Sequence, residues 1–219
     1  MKRKIVLFVI LIVMVLAGGG IGYYYWYQGA NYVSTEDARI SGDIYRVMPR
    51  ISGKLTSLSI SEGDTVVADQ IVGQQDTTNL PTNQLENATL RAPISGKVIK
   101  TNAKVGEVVS PGQAVAMVVD ESKLYIQANL EETEMHKIRL GQNVDFTVDA
   151  FPGQKFHGKV MEIGQATNST FSLLPATSTS GNFTKVTQRV PIKISIDANP
   201  DAHLFAGANA VIKIHLKGN

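Results

Sequence analysis

The chain has 219 residues, a formal net charge of +2 and no cysteine. The lack of cysteine excludes disulfides, thiolate nucleophiles, cysteine metal ligands and a lipid anchor on cysteine. The nearly balanced charge offers no basic face of the kind that binds nucleic acid, so a nucleic-acid partner is not expected.

The amino terminus predicts a membrane anchor. Three basic residues, Lys2, Arg3 and Lys4, precede an uncharged run from Ile5 to Tyr27. About 20 helical residues, each rising 1.5 Å, cross a hydrocarbon core of about 30 Å, so the run is long enough. Basic residues favour the cytoplasmic side, which would leave the body of the protein outside the cytoplasm. Residues 1–28 are therefore predicted to form a cytoplasmic tip and a transmembrane anchor.

Aromatic residues end this run and predict an interfacial belt at the outer surface of the membrane. They are Tyr23, Tyr24, Tyr25, Trp26 and Tyr27. A cleaved secretory signal is the alternative, because small residues follow the apolar stretch from Ile5 to Ala17. The aromatic cluster beyond those small residues favours an anchor that is retained. No later stretch is apolar for long enough to cross again, so a single-pass protein of the cell membrane is predicted.

The next part of the chain contains an internal repeat with an offset of 43 residues. The matching pairs are Ile51-Ser52-Gly53-Lys54 with Ile94-Ser95-Gly96-Lys97, Gly63 with Gly106, Val66 with Val109, Gln70 with Gln113 and Val72 with Val115. Each copy reads as short strands separated by glycine and acidic turn signals, and Ser110-Pro111-Gly112-Gln113 predicts a type II turn. Neither copy can bury its apolar face alone, so the two are predicted to pair into a small β-sandwich.

Residues 49–120, which contain the repeat, resemble the biotinyl/lipoyl-like domain. In carrier proteins of that fold, the modified lysine lies on the turn that joins the two halves. The join here, residues 76–90, contains no lysine, which disfavours an acyl-carrier function. Lys54 and Lys97 fall inside the repeated strands, where solvated side chains are expected.

Residues 121–219 predict a small antiparallel β-barrel. The segment from Glu131 to Arg139 reads as a short helix that stops before Gly141. The predicted strands are Lys123 to Leu130, Val144 to Val148, Lys155 to Ile163, Val190 to Ile196 and Ala210 to Leu216. The entry segment, residues 29–48, is also β-like and is predicted to contribute a strand to the barrel. The fold class is therefore mainly β, with an N-terminal transmembrane helix, a split lipoyl-like sandwich and a small barrel.

This order of elements resembles the membrane fusion proteins, or periplasmic adaptor subunits, of the haemolysin-secretion family. The EmrA-like multidrug-resistance branch is the most similar. The stretches that carry the resemblance are Val33 to Ala38 with Ser41 to Ile44, Val148 to Gly153 with Phe156 to Val160, and Phe171 to Pro175 with Gly181 to Ile194.

The resemblance implies a non-enzymatic adaptor of a multidrug or small-molecule efflux system. Such an adaptor partners an inner-membrane exporter, here expected to be of the major-facilitator type, and assembles as a homo-oligomer. Most relatives carry a long coiled-coil hairpin between the lipoyl halves, whereas only residues 77–90 are available here. Two helical arms of about seven residues would project roughly 10 Å, and Pro81 would break them. An exporter accessory of the Gram-positive type, or one with an additional partner, is therefore expected.

Catalytic and metal-binding motifs are not found in the sequence. The four histidines, which lack the spacing of a metal site, are His136, His157, His203 and His215. The nucleophile elbow and the glycine-rich phosphate loop are also missing, so no catalytic residue, metal or cofactor is expected.

The loop from Gln165 to Asn182 carries Phe171, Leu173 and Leu174 among polar residues. One interpretation is a flap whose apolar side chains pack on the barrel. The other is a docking surface for the exporter or a neighbouring subunit, because exposed apolar side chains are buried only by a partner. An anchored envelope-binding or ligand-binding module that is not tied to an exporter stays open as the alternative function.

Overall fold

The computed structural model describes residues 2–78, 80–171, 187–197 and 203–216. Within these residues the chain forms one α-helix, α1 (Lys2–Asn31), and fourteen strands. The strands are β1 Tyr32–Ser41, β2 Ile44–Val47, β3 Gly53–Leu58, β4 Thr65–Val66, β5 Ile71–Gln75, β6 Thr89–Arg91, β7 Gly96–Thr101, β8 Val108–Val109, β9 Ala116–Val119, β10 Tyr125–Glu131, β11 Asn143–Val148, β12 Phe156–Ile163, β13 Arg189–Ser195 and β14 Asn209–His215. The 3-10 helices are Thr82–Ala88, Glu121–Lys123, Glu132–Lys137 and Asn168–Phe171. The mainly β fold class is confirmed.

Helix α1 contains no proline and runs without a break into β1. Its last turn is closed by the side-chain amide of Asn31, which donates to the Tyr27 carbonyl at 2.7 Å. The Asn31 carbonyl in turn accepts from the Leu216 amide at 2.8 Å, just beyond β14. In the part of the chain that is described, no helix combines the length and hydropathy needed to cross a membrane.

The chain divides into two compact units that alternate along the sequence. The first contains residues 1–39, 126–200 and 209–219, and the second contains residues 40–125 and 201–208. The first unit is thus built from segments on both sides of the second in the chain.

The first unit contains a closed barrel in the order β1-β10-β13-β12-β11-β14. Neighbours β1 and β14, β14 and β11, β11 and β12, and β12 and β13 are antiparallel. Alternate residues of β11, namely Val144, Phe146 and Val148, are buried, as the period-two pattern predicts. The Phe146 ring stacks on Phe156 of β12 with 5.3 Å between centroids. The predicted antiparallel barrel is confirmed.

The second unit contains two four-stranded sheets, β2-β9-β7-β4 and β6-β5-β3-β8. The first repeat copy supplies β3, β4 and β5, and the second supplies β7, β8 and β9. Each copy donates its short strand to the other copy's sheet, since β4 pairs with β7 and β8 pairs with β3. The core is shared in the same way, for example by Leu55 and Val72 from one copy and Val98 and Val115 from the other. Each copy therefore relies on the other to complete its sheet and its core.

The turn at Ser110 confirms the type II prediction. Gly112 has a φ of 90°, and the Gln113 amide donates to the Ser110 carbonyl at 3.1 Å. At the equivalent position of the first copy, Asp69 holds the same left-handed region with a φ of 63°. Aspartate tolerates this conformation better than most residues, so the quasi-symmetric backbone survives without glycine.

Two predicted segments differ in detail from the structure. The entry segment, residues 29–48, divides: β1 lies in the barrel, whereas β2 pairs with β9 in the other unit. The break falls at Gly42, where a Cβ would meet the Val119 side chain at 2.7 Å and the Leu124 side chain at 2.9 Å, so a larger residue would require these side chains to shift. The helix expected from Glu131 to Arg139 is a shorter 3-10 helix, Glu132–Lys137. It stops because the next residue, Ile138, is extended and buried.

The join between the repeat copies contains a single 3-10 helix, Thr82–Ala88, in place of two helical arms. Pro81 precedes it with a φ of −59° and lacks the amide that a longer helix would require. Ala88 is buried, and β6 begins at once. This end of the sandwich is therefore closed by a short segment.

Candidate interaction surfaces

The candidate docking loop is described only at its two ends. Leu173 and Leu174 lie outside the described residues, and the side chain of Phe171 does as well. The 3-10 helix Asn168–Phe171 forms one end of the loop, and the chain resumes at Thr187 before β13. These two ends, Asn168–Phe171 and residues 187–189, are termed the loop root.

Asp37 connects both ends of the loop root to the barrel. It lies in an irregularity of β1, where an extra residue re-aims side chains. One carboxylate oxygen accepts from the Asn129 side chain at 3.1 Å, and the other forms an ion pair with Arg189. The Asn129 side chain accepts from Asn168 at 2.9 Å. The residues flanking the loop, Asn168 and Arg189, are thus held by one hydrogen-bonded group.

A groove with a cavity volume of about 370 Å³ lies beside this root. Its apolar lining includes Met135, Ile138, Ile163 and Val190. Backbone bonds fix its walls: the Glu132 amide donates to the Gln188 carbonyl at 2.9 Å, and the Gly164 amide donates to the Pro191 carbonyl at 2.8 Å. The groove is large enough to accept apolar side chains.

A second cluster brings two histidines onto one carboxylate. Asp145 of β11 accepts from His157 of β12 at 2.8 Å and from His215 of β14 at 2.7 Å. Asp145 and His157 are direct cross-strand partners, and Lys213 faces Asp145 from the other side. The cluster ties three barrel strands together. The sequence spacing did not reveal it, because the pairing of β11 with β14 joins distant segments.

Asp145 predicts a specific pH dependence of stability. Burial raises the pKa of this carboxyl, but the hydrogen bonds from His215 and His157 together lower it by more. The pKa of Asp145 therefore lies below the ordinary 3.8. A depressed pKa contributes stability above pH 3.8, which is lost as pH falls through the folded value. Asp145→Asn should therefore be less stable than the parent at pH 7, with the difference shrinking below pH 4 or so. Urea unfolding at several pH values measures it.

A matched control is Asp149→Asn, which removes a nearby exposed carboxylate that has no side-chain partner among the described residues. It should change stability less at pH 7. An Asp145→Asn difference that stays constant from pH 7 to pH 3 would contradict the assignment.

The remaining histidines, His203 and His136, lie at the surface. His203 contacts Glu121 at 3.4 Å and Lys97 at 3.0 Å, and His136 contacts the Thr133 carbonyl at 2.8 Å. Within the described ranges, no group of three or more histidine, cysteine or acidic residues could hold a metal ion.

The aromatic residues of the predicted belt lie in the last turns of α1 and are exposed. Tyr23 lies beside Trp26 and Tyr27, with ring centroids 6.1 and 6.3 Å apart. Tyr24 and Tyr25 meet edge to face at 5.8 Å. The five residues from Tyr23 to Tyr27 are termed the aromatic collar. The side chains of Lys2, Arg3 and Lys4 are outside the described set.

Comparison with known proteins places both units in one class. The model "RND MFP, barrel-sandwich hybrid domain" matches residues 43–121, and the "AAEA-like beta-barrel domain" matches residues 123–215. The putative efflux system component YhbJ of Bacillus subtilis is 39% identical over 191 residues, covering 85% of this chain and 81% of that protein. The chain belongs to the membrane fusion protein family. Because members of this family are adaptors, this membrane fusion protein is not an enzyme.

Gram-negative relatives are matched over a smaller share of their length. The multidrug export protein EmrA of Escherichia coli is 35% identical over 136 residues, which cover 61% of this chain but only 35% of EmrA. The solved structure of the periplasmic adaptor protein EmrA has a TM-score of 0.56 at 14% identity, covering 84% of this chain and 98% of that one. At this identity the structural likeness establishes the adaptor fold.

Proposed function

We propose that this membrane fusion protein is the anchored adaptor subunit of a multidrug or small-molecule efflux system. It works outside the cytoplasm on a multi-span exporter of the cell membrane, of the major-facilitator type, and assembles with copies of itself. The observation that carries this proposal is the match to an efflux system component over 81% of that protein's length. The energy for transport comes from the exporter.

The anchor part of the proposal rests on the amino terminus. An uncharged run from Ile5 to Tyr27 follows three basic residues and ends in the exposed aromatic collar. Basic residues on one side and amphipathic rings on the other are the pattern of a single span with a cytoplasmic amino terminus. The barrel follows α1 directly, so it would lie close to the extracytoplasmic surface of the cell membrane.

The short join between the sandwich halves supports work in a cell envelope with one membrane. A 3-10 helix of seven residues, Thr82–Ala88, rises about 2 Å per residue, so it extends roughly 14 Å at most. An adaptor with this join would need an additional partner to reach a second membrane. The longer match to a Bacillus protein than to Escherichia coli EmrA agrees with this proposal.

The docking part of the proposal assigns exporter contact to the loop after the 3-10 helix Asn168–Phe171. Its root is held by Asp37, and an apolar groove lies beside it, so a partner would meet a fixed base. Apolar side chains on such a loop gain from water exclusion when a partner covers them.

Replacing Phe171, Leu173 and Leu174 together with serine is expected to lower the yield of exporter that co-purifies in mild detergent at least about tenfold, because three apolar contacts are lost. Far-UV circular dichroism should stay unchanged. The matched control changes three exposed apolar residues elsewhere in the barrel unit, Leu140, Met161 and Val211, to serine. It should leave the exporter yield within about twofold of the parent.

The alternative, an anchored envelope-binding module, predicts a different co-purification result. The parent protein would then be recovered with insoluble wall material and without a multi-span transporter. An equal loss of exporter in the two triple variants would also reject the docking loop.

A further inference from the structure

A polar cavity of about 330 Å³, termed the junction pocket, lies where α1 meets the barrel. Its walls come from the last turn of α1 at Gly29, the first half of β1, the end of β10, the 3-10 helix Glu132–Lys137 and the first residue of β13. All of these segments belong to the first unit. The junction pocket shares no lining residue with the groove beside the loop root, so the two are separate sites.

The junction pocket is lined by two acidic and two basic side chains: Glu131, Glu134, Lys137 and Arg189. Three of these charges are compensated within the barrel. Lys137 donates to Glu134 at 2.7 Å, and only about one third of each side chain is exposed. Arg189 forms an ion pair with Asp37. The two cations are therefore held in place at the wall of the pocket.

The carboxylate of Glu131 lacks a cation partner among the described residues. It lies at the end of β10, is exposed, and accepts a hydrogen bond from the Thr133 hydroxyl at 3.4 Å. The pocket thus combines one uncompensated negative charge with two cations that can share an additional anion. A ligand that carries both an ammonium group and an anionic group matches this set of charges.

The proposed anchor fixes the depth of the junction pocket relative to the membrane. Gly29 lies two residues beyond the aromatic collar, and Asn31, the last residue of α1, lies four residues beyond it. At 1.5 Å per helical residue, they are about 3 and about 6 Å further from the hydrocarbon core than Tyr27. A bilayer is about 40–45 Å thick with a core of about 30 Å, so each headgroup layer measures roughly 5 to 8 Å. The pocket therefore opens at the level of the lipid headgroups.

Phosphoethanolamine is the headgroup chemistry that fits the lining. Its primary ammonium has N–H donors for the Glu131 carboxylate, and its phosphate accepts from Lys137 and Arg189. A phosphoglycerol head has no ammonium and would bring only negative charge beside Glu131 and Glu134. A phosphocholine head has a cation without an N–H donor, so it cannot form the hydrogen bond to the carboxylate.

We propose that the junction pocket binds the phosphoethanolamine headgroup of a membrane lipid, with the ammonium on Glu131 and the phosphate on Lys137 and Arg189. The bound lipid ties the barrel to the extracytoplasmic surface of the membrane beside α1. This site rests on the anchor included in the proposed function and adds a lipid class to it.

Native mass spectrometry of the full-length protein in mild detergent measures this binding. Phosphatidylethanolamine, phosphatidylglycerol and phosphatidylcholine with identical acyl chains are added together at equal concentrations, and each bound lipid is identified by its mass. The parent should retain phosphatidylethanolamine at least about fivefold more than either of the others. Equal retention of the three lipids would overturn the proposal.

Glu131→Gln should lower the retention of phosphatidylethanolamine about fivefold, because the ammonium loses its charged acceptor. The matched control is Glu132→Gln, which neutralises the next residue, an exposed carboxylate that lines the other groove. It should leave retention within about twofold of the parent. Equal losses in the two variants would show a general effect of charge and refute the role of Glu131.

Glu131→Lys should reverse the order of the lipids. With a third cation in place of the carboxylate, the pocket should retain phosphatidylglycerol at least about threefold more than phosphatidylethanolamine. Far-UV circular dichroism should match that of the parent. A folded Glu131→Lys protein that keeps the parent's preference would contradict the headgroup assignment.

Soluble glycerophosphoethanolamine distinguishes a lipid from a free ligand, since it has the same headgroup without acyl chains. At an equal concentration it should leave the lipid bound, because the acyl chains add apolar burial that the free headgroup lacks. Displacement of the lipid at equal concentration would identify a soluble ligand and overturn a membrane lipid as the occupant.

Alkaline carbonate extraction of membranes separates failure of this site from failure of the proposed function. Release of the protein would reject the anchor, and with it the lipid as occupant. A protein that stays in the membrane, co-purifies with an exporter and shows no preference for phosphatidylethanolamine would reject the headgroup site alone.

Discussion

Gly96→Ala is expected to destabilise the sandwich by about 3 kcal/mol, whereas Gly53→Ala should cost less than about 1 kcal/mol. The two glycines occupy the same position in the two repeat copies. A Cβ on Gly96 would clash with the Val119 carbonyl oxygen and lie 2.9 Å from its carbon, and this backbone belongs to the paired strand β9. A Cβ on Gly53 would instead meet the side-chain nitrogen of Gln75 at 3.3 Å.

The two variants differ because the added Cβ meets a side chain at position 53 and backbone at position 96. The Gln75 amide is the far end of a flexible side chain and needs to move by only a few tenths of an ångström, although it donates to the carbonyls of Ile51 at 3.0 Å, Gly53 at 3.3 Å and Val109 at 3.4 Å. The Val119 backbone cannot shift without loss of its pairing to β7. Urea unfolding of the two variants, followed by far-UV circular dichroism, gives the comparison directly. Equal losses at Gly53 and Gly96 would show that the glycines are needed for backbone conformation rather than for space.

The repeat made the sandwich predictable, because shared glycine turns and alternating apolar residues specify strands locally. The alternation in β11 predicts a half-buried strand in the same way, and its apolar residues Val144, Phe146 and Val148 are all buried. The exchange of β4 and β8 between the two sheets was not readable from the sequence. Strand partners depend on contacts between distant segments, and the hydrophobic period gives only which face is buried.

The same limit explains the missed polar clusters. Asp37 and Arg189 are 152 positions apart, and Asp145 and His215 are 70 apart. A lone acid in an alternating strand looks like any solvated residue until the topology supplies its partner. The family motif from Val33 to Ala38 contains Asp37 and identifies the entry strand from the sequence. It does not identify the partners of Asp37.

Phe156→Ala is expected to destabilise the barrel by about 4 kcal/mol. Phe156 begins β12, is 2% exposed, and stacks on Phe146 with 5.3 Å between ring centroids. Phe151 also meets it edge to face at 6.4 Å. Removing the ring therefore loses its transfer free energy and leaves a cavity that two other rings cannot fill without leaving their own contacts.

The control for this variant is Phe205→Ala, which removes the same ring from a side chain that is 47% exposed. It should cost about 1 kcal/mol, since nearly half of the side-chain surface is already in water. Urea unfolding of the full chain in mild detergent measures the stability loss of both variants. A Phe156→Ala loss no larger than that of Phe205→Ala would mean that the ring stack does not hold the barrel closed, and that strand pairing alone stabilises it.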